Sequence, residues 1–360
     1  MLTRIWLTYK QHRFETIAIA VVCLGVAVAA FIEAWRLNSL NVPWHCFQTW
    51  QGGGYNGGPI PDAAQLRCNE LVQSYQNLQQ STDVSIVRML LIFVPLIAGI
   101  ILGAPLVARE IEQGTAPLSW SLSGSRRRWL LGKILAGLLL IVPLMLALGL
   151  ASDVLQGAMS PHLHTHAAFE NYAGRGVIVV FWALAAYAGT LALGTILGRT
   201  MPAVVLALVI CFFVRTTWEP GMNHFVLTPL ATKQADQVSM SNYYSGMVDM
   251  SLYQKVYLDG KEISNDEANA WYMQHQGPVV ETTPDPAGSM PPAATASDGS
   301  GLIVAQPPAI PPSEFPQYVT FGIPGSMYWQ VVGFESGVLL LGALLCSAIA
   351  FVWVDRRRPY

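Results

Sequence analysis

Three histidines alternate along the sequence after the third apolar segment, and they are the first residues that could ligate a metal ion. His162, His164 and His166 form an H-x-H-x-H pattern, and neighbouring imidazoles can share one Zn²⁺ ion. No Cys stands beside them, and their spacing is not that of a zinc finger. We interpret them as part of a polar loop with adventitious metal binding at most, so no metal site is predicted.

Two glycine patterns bear on nucleotide binding. Gly52, Gly54 and Gly57 satisfy G-x-G-x-x-G, but this pattern binds a dinucleotide only between a strand and a helix, and QGGGYNGGPIP favours neither. The phosphate-binding pattern G-x-x-x-x-G-K-[ST] does not occur in the sequence. No catalytic residue and no cofactor of the chain itself is therefore predicted, and the chain is not interpreted as an enzyme. Any ATP-driven work would need a partner.

Composition indicates a membrane protein that crosses the bilayer several times. Of 360 residues, 52% are hydrophobic and only 12% are charged, about half the charged share of a soluble domain. A helix needs about 20 apolar residues to cross the hydrocarbon core. The predicted fold is an all-α polytopic membrane protein with a large mixed external loop before the last helix. The six predicted spans are 15–36, 86–107, 129–151, 177–197, 202–215 and 331–354.

The fifth predicted span is short enough to be a re-entrant segment instead. Basic residues flank both ends of the chain, which places both termini in the cytoplasm and makes the number of spans even. About 12 of the 20 Lys and Arg residues then lie on the cytoplasmic side, as the positive-inside rule requires. The first span imitates a signal peptide, but its length and its end at Glu33, Trp35 and Arg36 favour a retained helix.

This topology divides the rest of the chain between two sides. The cytoplasmic segments are the start at 1–14, a loop at 108–128 and a tail at 355–360, and the external segments are 37–85, 152–176 and 216–330. The aromatic and basic residues of the start suit an amphipathic helix along the membrane surface, and a simple topogenic flank is equally consistent with them. Cys46 and Cys68 share the first external loop, where thiols are not kept reduced, and a disulfide between them is predicted. Cys23, Cys211 and Cys346 lie in spans and are interpreted as small apolar side chains.

The last external segment contains local signals of structure. Asp259 and Gly260 separate two short alternating runs, which predicts a hairpin with a type I′ turn. Ser264 and Glu267 then have the spacing of a capping box, which predicts a short helix. Residues 278–316 are rich in proline and too poor in large apolar side chains to pack a core, so we interpret them as a tether or a disordered insertion.

Ionisable side chains and prolines inside spans are candidates for a transport pathway. Glu33, Asp153 and Glu335 stand near the external ends of spans, where interfacial placement is favoured over a transport role. Pro95 and Pro143 remove helix hydrogen bonds, and the kinks that result could line a cavity. The candidate pathway residues are Pro95, Pro143 and Glu335.

The loop at 108–128 is more elaborate than a membrane anchor requires. Arg126, Arg127 and Arg128 suffice to keep the third span positive inside. Before them stand Arg109, Glu110 and Glu112, a Gly114-Thr115 turn, and an amphipathic patch formed by Leu118, Trp120 and Leu122. Trp120 is predicted to anchor the loop in a groove of a partner.

The block AREIEQGTAPLSWSLSGSRRRWLLGK resembles the loop between the second and third spans of bacterial six-span ABC exporter permeases of the ABC-2 type. A second stretch, YVTFGIPGSMYWQVVGFESGVLLL, is similar to the entry to the last span in actinobacterial members, with departures at Ile323, Pro324 and Met327. The resemblance extends to the whole layout, from the basic start through six spans to the basic tail.

This resemblance implies that the loop carries a coupling helix that sits in a cleft of an ATP-binding subunit. The implied partners are two copies of that subunit, which bind ATP and Mg²⁺, and a second permease copy or homologue in the bacterial cytoplasmic membrane. No nucleic acid is implied. The exported substrate would be amphipathic: a drug, a lipid or a peptide-like molecule. The implied coupling residues are Arg109, Glu110, Glu112, Gly114, Thr115, Trp120, Arg126, Arg127 and Arg128.

Two other classes of protein remain open at this stage. A membrane-anchored sensor or binding protein would use the large external segment to hold a ligand, but it leaves the cytoplasmic loop without a partner. A polytopic membrane enzyme would centre on His162 to His166 or on the glutamates, but no second constellation of catalytic residues accompanies them.

The predicted orientation can be tested at the boundary between the fourth and fifth spans. A cysteine placed at Thr200 should react with a membrane-permeant maleimide in intact cells and not with an impermeant one, because the topology puts this residue in the cytoplasm. The measurement is mass tagging on a background without the three free cysteines. Labelling of Thr200→Cys by the impermeant reagent would contradict the predicted topology.

Overall fold

The computed structural model describes ten segments of the chain. They are residues 13–49, 63–123, 125–161, 164, 166, 168–222, 226–230, 232–234, 250–275 and 315–356. The predictions for the amphipathic start at 1–14, for Gly52, Gly54 and Gly57, and for the Pro-rich segment 278–316 fall almost entirely outside these residues.

Six apolar helices are long enough to cross a membrane, which confirms the predicted fold class. They are α1 (Arg13–Ser39), α4 (Thr82–Glu112), α6 (Arg126–Met159), α7 (Ile178–Leu197), α8 (Thr200–Met222) and α10 (Tyr328–Arg356). Four shorter helices lie between them: α2 (Trp44–Thr49), α3 (Ala63–Gln79), α5 (Ala116–Ser123) and α9 (Asn265–His275). Four strands complete the described elements: β1 (Thr232–Gln234), β2 (Met250–Leu258), β3 (Lys261–Ile263) and β4 (Gln317–Ile323).

The fifth long helix, α8, exceeds the length expected from its apolar run. It has 23 residues instead of the predicted 202–215, which is enough to cross the hydrocarbon core and favours a full span over a re-entrant segment. The helix continues through polar residues, and their hydroxyls bond back to the preceding turn. Thr216 and Thr217 donate to the carbonyl oxygen of Phe213 at 3.0 and 2.8 Å.

The most extensive helix contact, between α4 and α7, depends on small residues. A Cβ atom added at Gly99 or Gly103 of α4 would lie 2.5 Å from a backbone carbonyl oxygen of α7, that of Ala183 or of Tyr187. Only glycine permits this approach, and the G-x-x-x-G spacing puts both residues on one helix face. The contact also shows that α4 and α7 run parallel, since the later glycine meets the later residue.

The helices α4, α6 and α7, successive long helices of the chain, alternate in direction and so define two ends of the bundle. Gly149 and Gly137 of α6 lie against Gly176 and Tyr187, so α6 runs antiparallel to α7. One end, here named the arginine end, carries α5 and the segment 109–128. The opposite end, named the sheet end, carries α2, α3 and the strands.

Two hydrophobic clusters fill the bundle, and α4 and α7 contribute to both. The first cluster joins these helices to α1, α6 and the end of α10, through residues such as Val26, Leu148 and Val354. The second joins them to α8, α10 and the strands, through residues such as Leu339 and Ile323. The pair α4 and α7 is therefore the wall between two halves of the core.

A helical hairpin made of α2 and α3 covers the sheet end of α6. Cys46 and Cys68 form the predicted disulfide, with Cα atoms 5.0 Å apart. The Tyr75 hydroxyl donates to the carbonyl oxygen of Ala158 at 2.5 Å, and the Gln79 amide donates to that of Met159 at 3.2 Å. These bonds satisfy the last carbonyls of α6. Burial raises the pKa of Tyr75, so its hydroxyl keeps the donated proton.

The strands form one antiparallel sheet in the order β1-β4-β2-β3. The hairpin between β2 and β3 is confirmed: Leu258 pairs with Lys261, and Asp259 and Gly260 have φ angles of 51° and 76°, as a type I′ turn requires. The capping box is also confirmed. The Ser264 N–H donates to Glu267 Oε2 at 2.8 Å, and the Glu267 N–H donates to Ser264 Oγ at 3.2 Å. The first of these bonds lowers the pKa of Glu267.

The glycine contact predicts a stability effect with an internal control. Gly103→Ala should lower the stability of the bundle by about 1–3 kcal/mol, because the new methyl group must displace backbone rather than a flexible side chain. Gly25→Ala is the matched control, since no atom lies within 4 Å of its Cβ position. The measurement is thermal unfolding of the purified protein in detergent. Equal melting temperatures for both variants would contradict the close contact.

Candidate functional site

The loop between α4 and α6 is a folded hairpin with a helix at its tip. Gly114 turns the chain after α4 with a φ angle of 68°, a conformation that favours glycine. The Thr115 N–H and hydroxyl both donate to the carbonyl oxygen of Glu110, at 3.0 and 3.2 Å. The helix α5 follows at once, and Ser125 Oγ accepts the N–H of Arg128 at 3.3 Å to begin α6. The loop is therefore held in one shape.

A buried ion pair closes the base of this hairpin. Lys133 Nζ lies 2.5 Å from Glu110 Oε1, and the two side chains are only 6% and 12% exposed. A buried charge is tolerated only with a partner, so this pair fixes α4 against α6 where the loop leaves the bundle. Lys133 was not among the predicted site residues. The signal for it was the Gly-Lys pair that ends the block from Ala108 to Lys133.

The end of α4 is also tied to the first and fifth long helices. Arg109 Nη1 lies 3.2 Å from Glu15 Oε1 of α1. Glu112 Oε2 accepts the N–H of Thr200 at 3.0 Å, at the first residue of α8. A carboxylate at a helix N-terminus satisfies a free N–H group and matches the helix dipole.

The first two arginines of α6 contact the end of the last helix. Arg126 Nη1 donates to the carbonyl oxygens of Asp355 at 3.1 Å and Val354 at 3.4 Å. A cation beside the last carbonyls of a helix is favourable for the same electrostatic reason. Arg127 Nε lies 2.6 Å from Asp355 Oδ2, while the side chain of Arg128 is exposed.

Trp120, predicted to insert into a partner, packs largely within the chain. Its ring lies 4.6 Å from the Arg126 guanidinium and makes an edge contact with Trp129 at 6.1 Å. Arg126 thus contacts the Trp120 ring as a cation, and Trp129 contacts it as a second indole. Leu118 of α5 is an exposed apolar residue, with an exposed fraction of 66%.

The candidate pathway residues do not share one environment. Glu335 is 1% exposed, and its Oε1 accepts the indole N–H of Trp218 at 2.8 Å, so the expected interfacial placement of this carboxylate is wrong. The reason is that α8 brings an aromatic donor over it. Pro95 is buried, whereas Pro143 is exposed on the surface of the bundle.

Glu33 is also buried rather than interfacial. It is 7% exposed and is paired with Arg36 at 2.9 Å, one turn further along α1. Asp153 is half-buried near Arg175 and His166.

The described histidines do not gather a set of metal ligands. His164 is exposed, and the His166 ring lies 5.3 Å from that of Trp329; His162 lies outside the described residues. Among the described residues, one group has three potential ligand atoms close together: His45, Cys46 and Cys68. The disulfide occupies both sulfurs of that group and leaves no thiolate for a metal.

Six apolar helices define a polytopic membrane protein and fit a permease, and a basic loop with its own helix joins α4 to α6. Residues 16–221 match the family described as ABC-2 membrane transporter related, and the chain belongs to that family. The match runs from α1 to α8 and includes the whole loop. No curated protein and no solved structure matches the chain significantly. Family membership places the chain in the context of an ABC transporter, where an ATPase is a separate partner.

The buried ion pair predicts a non-additive effect of mutations. Glu110→Gln should destabilise the protein by about 3 kcal/mol, because it leaves the Lys133 ammonium buried without a counter-charge. The double variant Glu110→Gln/Lys133→Met should regain most of this loss, since no buried charge remains. Arg127→Gln is the control: it breaks an exposed pair and should cost at most about 1 kcal/mol. Thermal unfolding in detergent measures all three. Additive losses in the double variant would contradict the pairing.

Proposed function

We propose that the chain is the permease subunit of an ATP-driven exporter, and that the loop between α4 and α6 couples it to an ATP-binding subunit. Two such subunits would supply ATP and Mg²⁺, and a second permease copy or a homologue would complete the pathway. The substrate would be an amphipathic molecule that leaves the cytoplasm or the inner leaflet. The arginine end would then face the cytoplasm, in agreement with the positive-inside rule.

One observation carries this proposal: the tip of the loop combines an exposed apolar side chain with exposed basic side chains on a fixed scaffold. Leu118 is 66% exposed beside the exposed Pro117, and the side chains of Arg127 and Arg128 are exposed at the start of α6. An exposed apolar patch with a polar rim is typical of a protein interaction site. Trp120 would stabilise this tip by packing against Arg126 and Trp129, and it would not insert into the partner.

The bonds of the arginine end supply a route for mechanical coupling. A displacement of α5 would act on α4 and α6 through the turn at Thr115 and the Glu110–Lys133 pair. It would act on α10 through Arg126, and on α8 through Glu112. These contacts join four helices, α4, α6, α8 and α10, to the same loop. A displacement of the loop would therefore move these helices together as a rigid body.

The surfaces of α8 and α10 leave room for a second permease. In both helices most of the apolar side chains are exposed on the single chain, including Phe212 and Phe213 of α8 at 63% and 66%. Lipid can cover such a surface, and so can another copy of the chain, because both are apolar.

The proposal predicts that a charge at Leu118 abolishes binding of the ATP-binding subunit without unfolding the permease. The protein is purified from its native membranes in mild detergent, wild type beside Leu118→Asp, and associated proteins are identified by mass spectrometry and by vanadate-sensitive ATPase activity. A buried aspartate in the interface would cost at least about 2 kcal/mol, or a loss of more than tenfold in affinity.

Leu66→Asp is the matched control, because Leu66 is 50% exposed on α3 at the sheet end. It should retain the ATPase at the wild-type level. If Leu118→Asp retains the ATPase equally, the loop is not the coupling element. If no ATPase co-purifies with the wild type, the exporter hypothesis is contradicted. The external segment then becomes the candidate ligand site of a sensor or binding protein.

A further inference from the structure

A polar cavity of about 240 Å³ lies at the sheet end of the bundle, apart from the coupling loop. Its walls come from α4 and α6, the turn at 169–174 closes one side, and α8 and β2 each contribute one residue, Arg215 and Met250. The lining combines apolar side chains with two guanidinium groups and two side-chain amides. The side chains with polar atoms are Arg88, Ser152, Gln156, Asn171, Tyr172 and Arg215.

Arg88 has a neutral partner and no acidic one. Its Nη2 donates to Asn171 Oδ1 at 2.7 Å, and within the described part of the chain no carboxylate oxygen lies within ion-pair distance of it. Asn171 is held in turn, because its Nδ2 donates to Gln156 Oε1 at 3.1 Å. The guanidinium is therefore positioned by amides that leave its charge unneutralised.

Arg215 is positioned by an aromatic ring. Its guanidinium lies 5.3 Å from the centroid of the Trp182 ring, a distance at which a cation is attracted to the ring face. Among the described residues Arg215 forms no ion pair at contact distance.

Two carboxylates, Glu335 and Glu170, interact with residues of the lining, and both have other partners. Glu335 interacts with Arg215 at longer range, and its Oε1 is bound by the Trp218 indole at 2.8 Å. Glu170 Oε2 accepts from Ser160 at 2.9 Å and from Gln156 at 3.1 Å. Neither carboxylate is among the residues that line the cavity, so the lining itself carries two positive charges and no negative one.

We propose that this cavity binds the anionic end of an amphipathic molecule, a carboxylate or phosphate attached to a short apolar chain. A guanidinium donates two parallel hydrogen bonds to either group. Leu91, Ile92 and Leu155 offer an apolar wall to the attached chain. The volume is below the roughly 300–1,000 Å³ of sites that enclose a drug-sized molecule, so only the charged end and a few carbons are enclosed. This assignment rests on the proposed export function and narrows its substrate to an anionic amphiphile.

Isothermal titration calorimetry on the purified chain in a neutral detergent tests the site without any ATP-binding subunit. The probes are hexyl phosphate, hexanoate, inorganic phosphate and hexyltrimethylammonium, which has the same chain with the opposite charge. Hexyl phosphate and hexanoate should bind at least tenfold more tightly than the cation. Arg88→Gln and Arg215→Gln should each weaken hexyl phosphate at least tenfold, and Arg67→Gln, an exposed arginine of α3, should change it less than twofold.

The selectivity for anions on the wild-type protein needs no variant, so misfolding of Arg215→Gln would leave the test intact. Equal binding of the anionic and cationic probes, or equal affinity of all three variants, would overturn the site. Inorganic phosphate that matches hexyl phosphate would contradict the role of the apolar wall. If short-chain phosphatidic acid displaces hexyl phosphate, the ligand class is a lipid phosphate headgroup. If hexanoate displaces hexyl phosphate and phosphatidic acid does not, the ligand class is a carboxylate. Since no ATPase is present, failure here leaves the Leu118→Asp result unchanged, and the reverse also holds.

Discussion

The close approach of α4 and α7 is the contact on which the rest of the bundle depends. Between apolar helices in lipid there is little hydrophobic drive, so association relies on packing at short range and on hydrogen bonds. Gly99 and Gly103 permit this close packing, because without side chains they let the backbones of α4 and α7 come into contact. Each of these two helices also gives side chains to both hydrophobic clusters. A shift of this contact would therefore change the relation between the half that contains α1 and α6 and the half that contains α8 and α10.

Charges are confined to the two ends of this apolar frame, and they act differently there. At the arginine end, charged side chains join one helix to another, as Glu110 does with Lys133 and Arg126 with the end of α10. At the sheet end, Arg36 is paired with Glu33 and Asp83, whereas Arg88 and Arg215 are oriented by neutral groups. Among the described residues, Arg88 and Arg215 therefore differ from the arginines that are held by ion pairs.

Features that depend on adjacent residues could be predicted from the sequence, and features that depend on residues distant in the sequence could not. The apolar runs predicted the six helices, and turn and capping chemistry predicted the hairpin at Asp259 and the helix after Ser264, because each depends on a few adjacent residues. The helix α8 extends beyond the predicted span 202–215, because hydropathy marks only the apolar part of a helix, and α8 continues through Thr216 and Thr217. The burial of Glu335 depends on Trp218 from another helix, and sequence spacing does not show that such a pair will meet.

The bond between Arg126 and the end of α10 has a consequence for how the protein is made. Arg126 reaches carbonyl oxygens 228 and 229 residues further along the chain. During synthesis α5 and the start of α6 are therefore complete in sequence long before this part of their surroundings exists. The surface that would receive an ATPase acquires its final support only after the last helix has been inserted. A nascent or truncated permease would thus present an unfinished docking surface, and assembly of the transporter would be restricted to full-length chains.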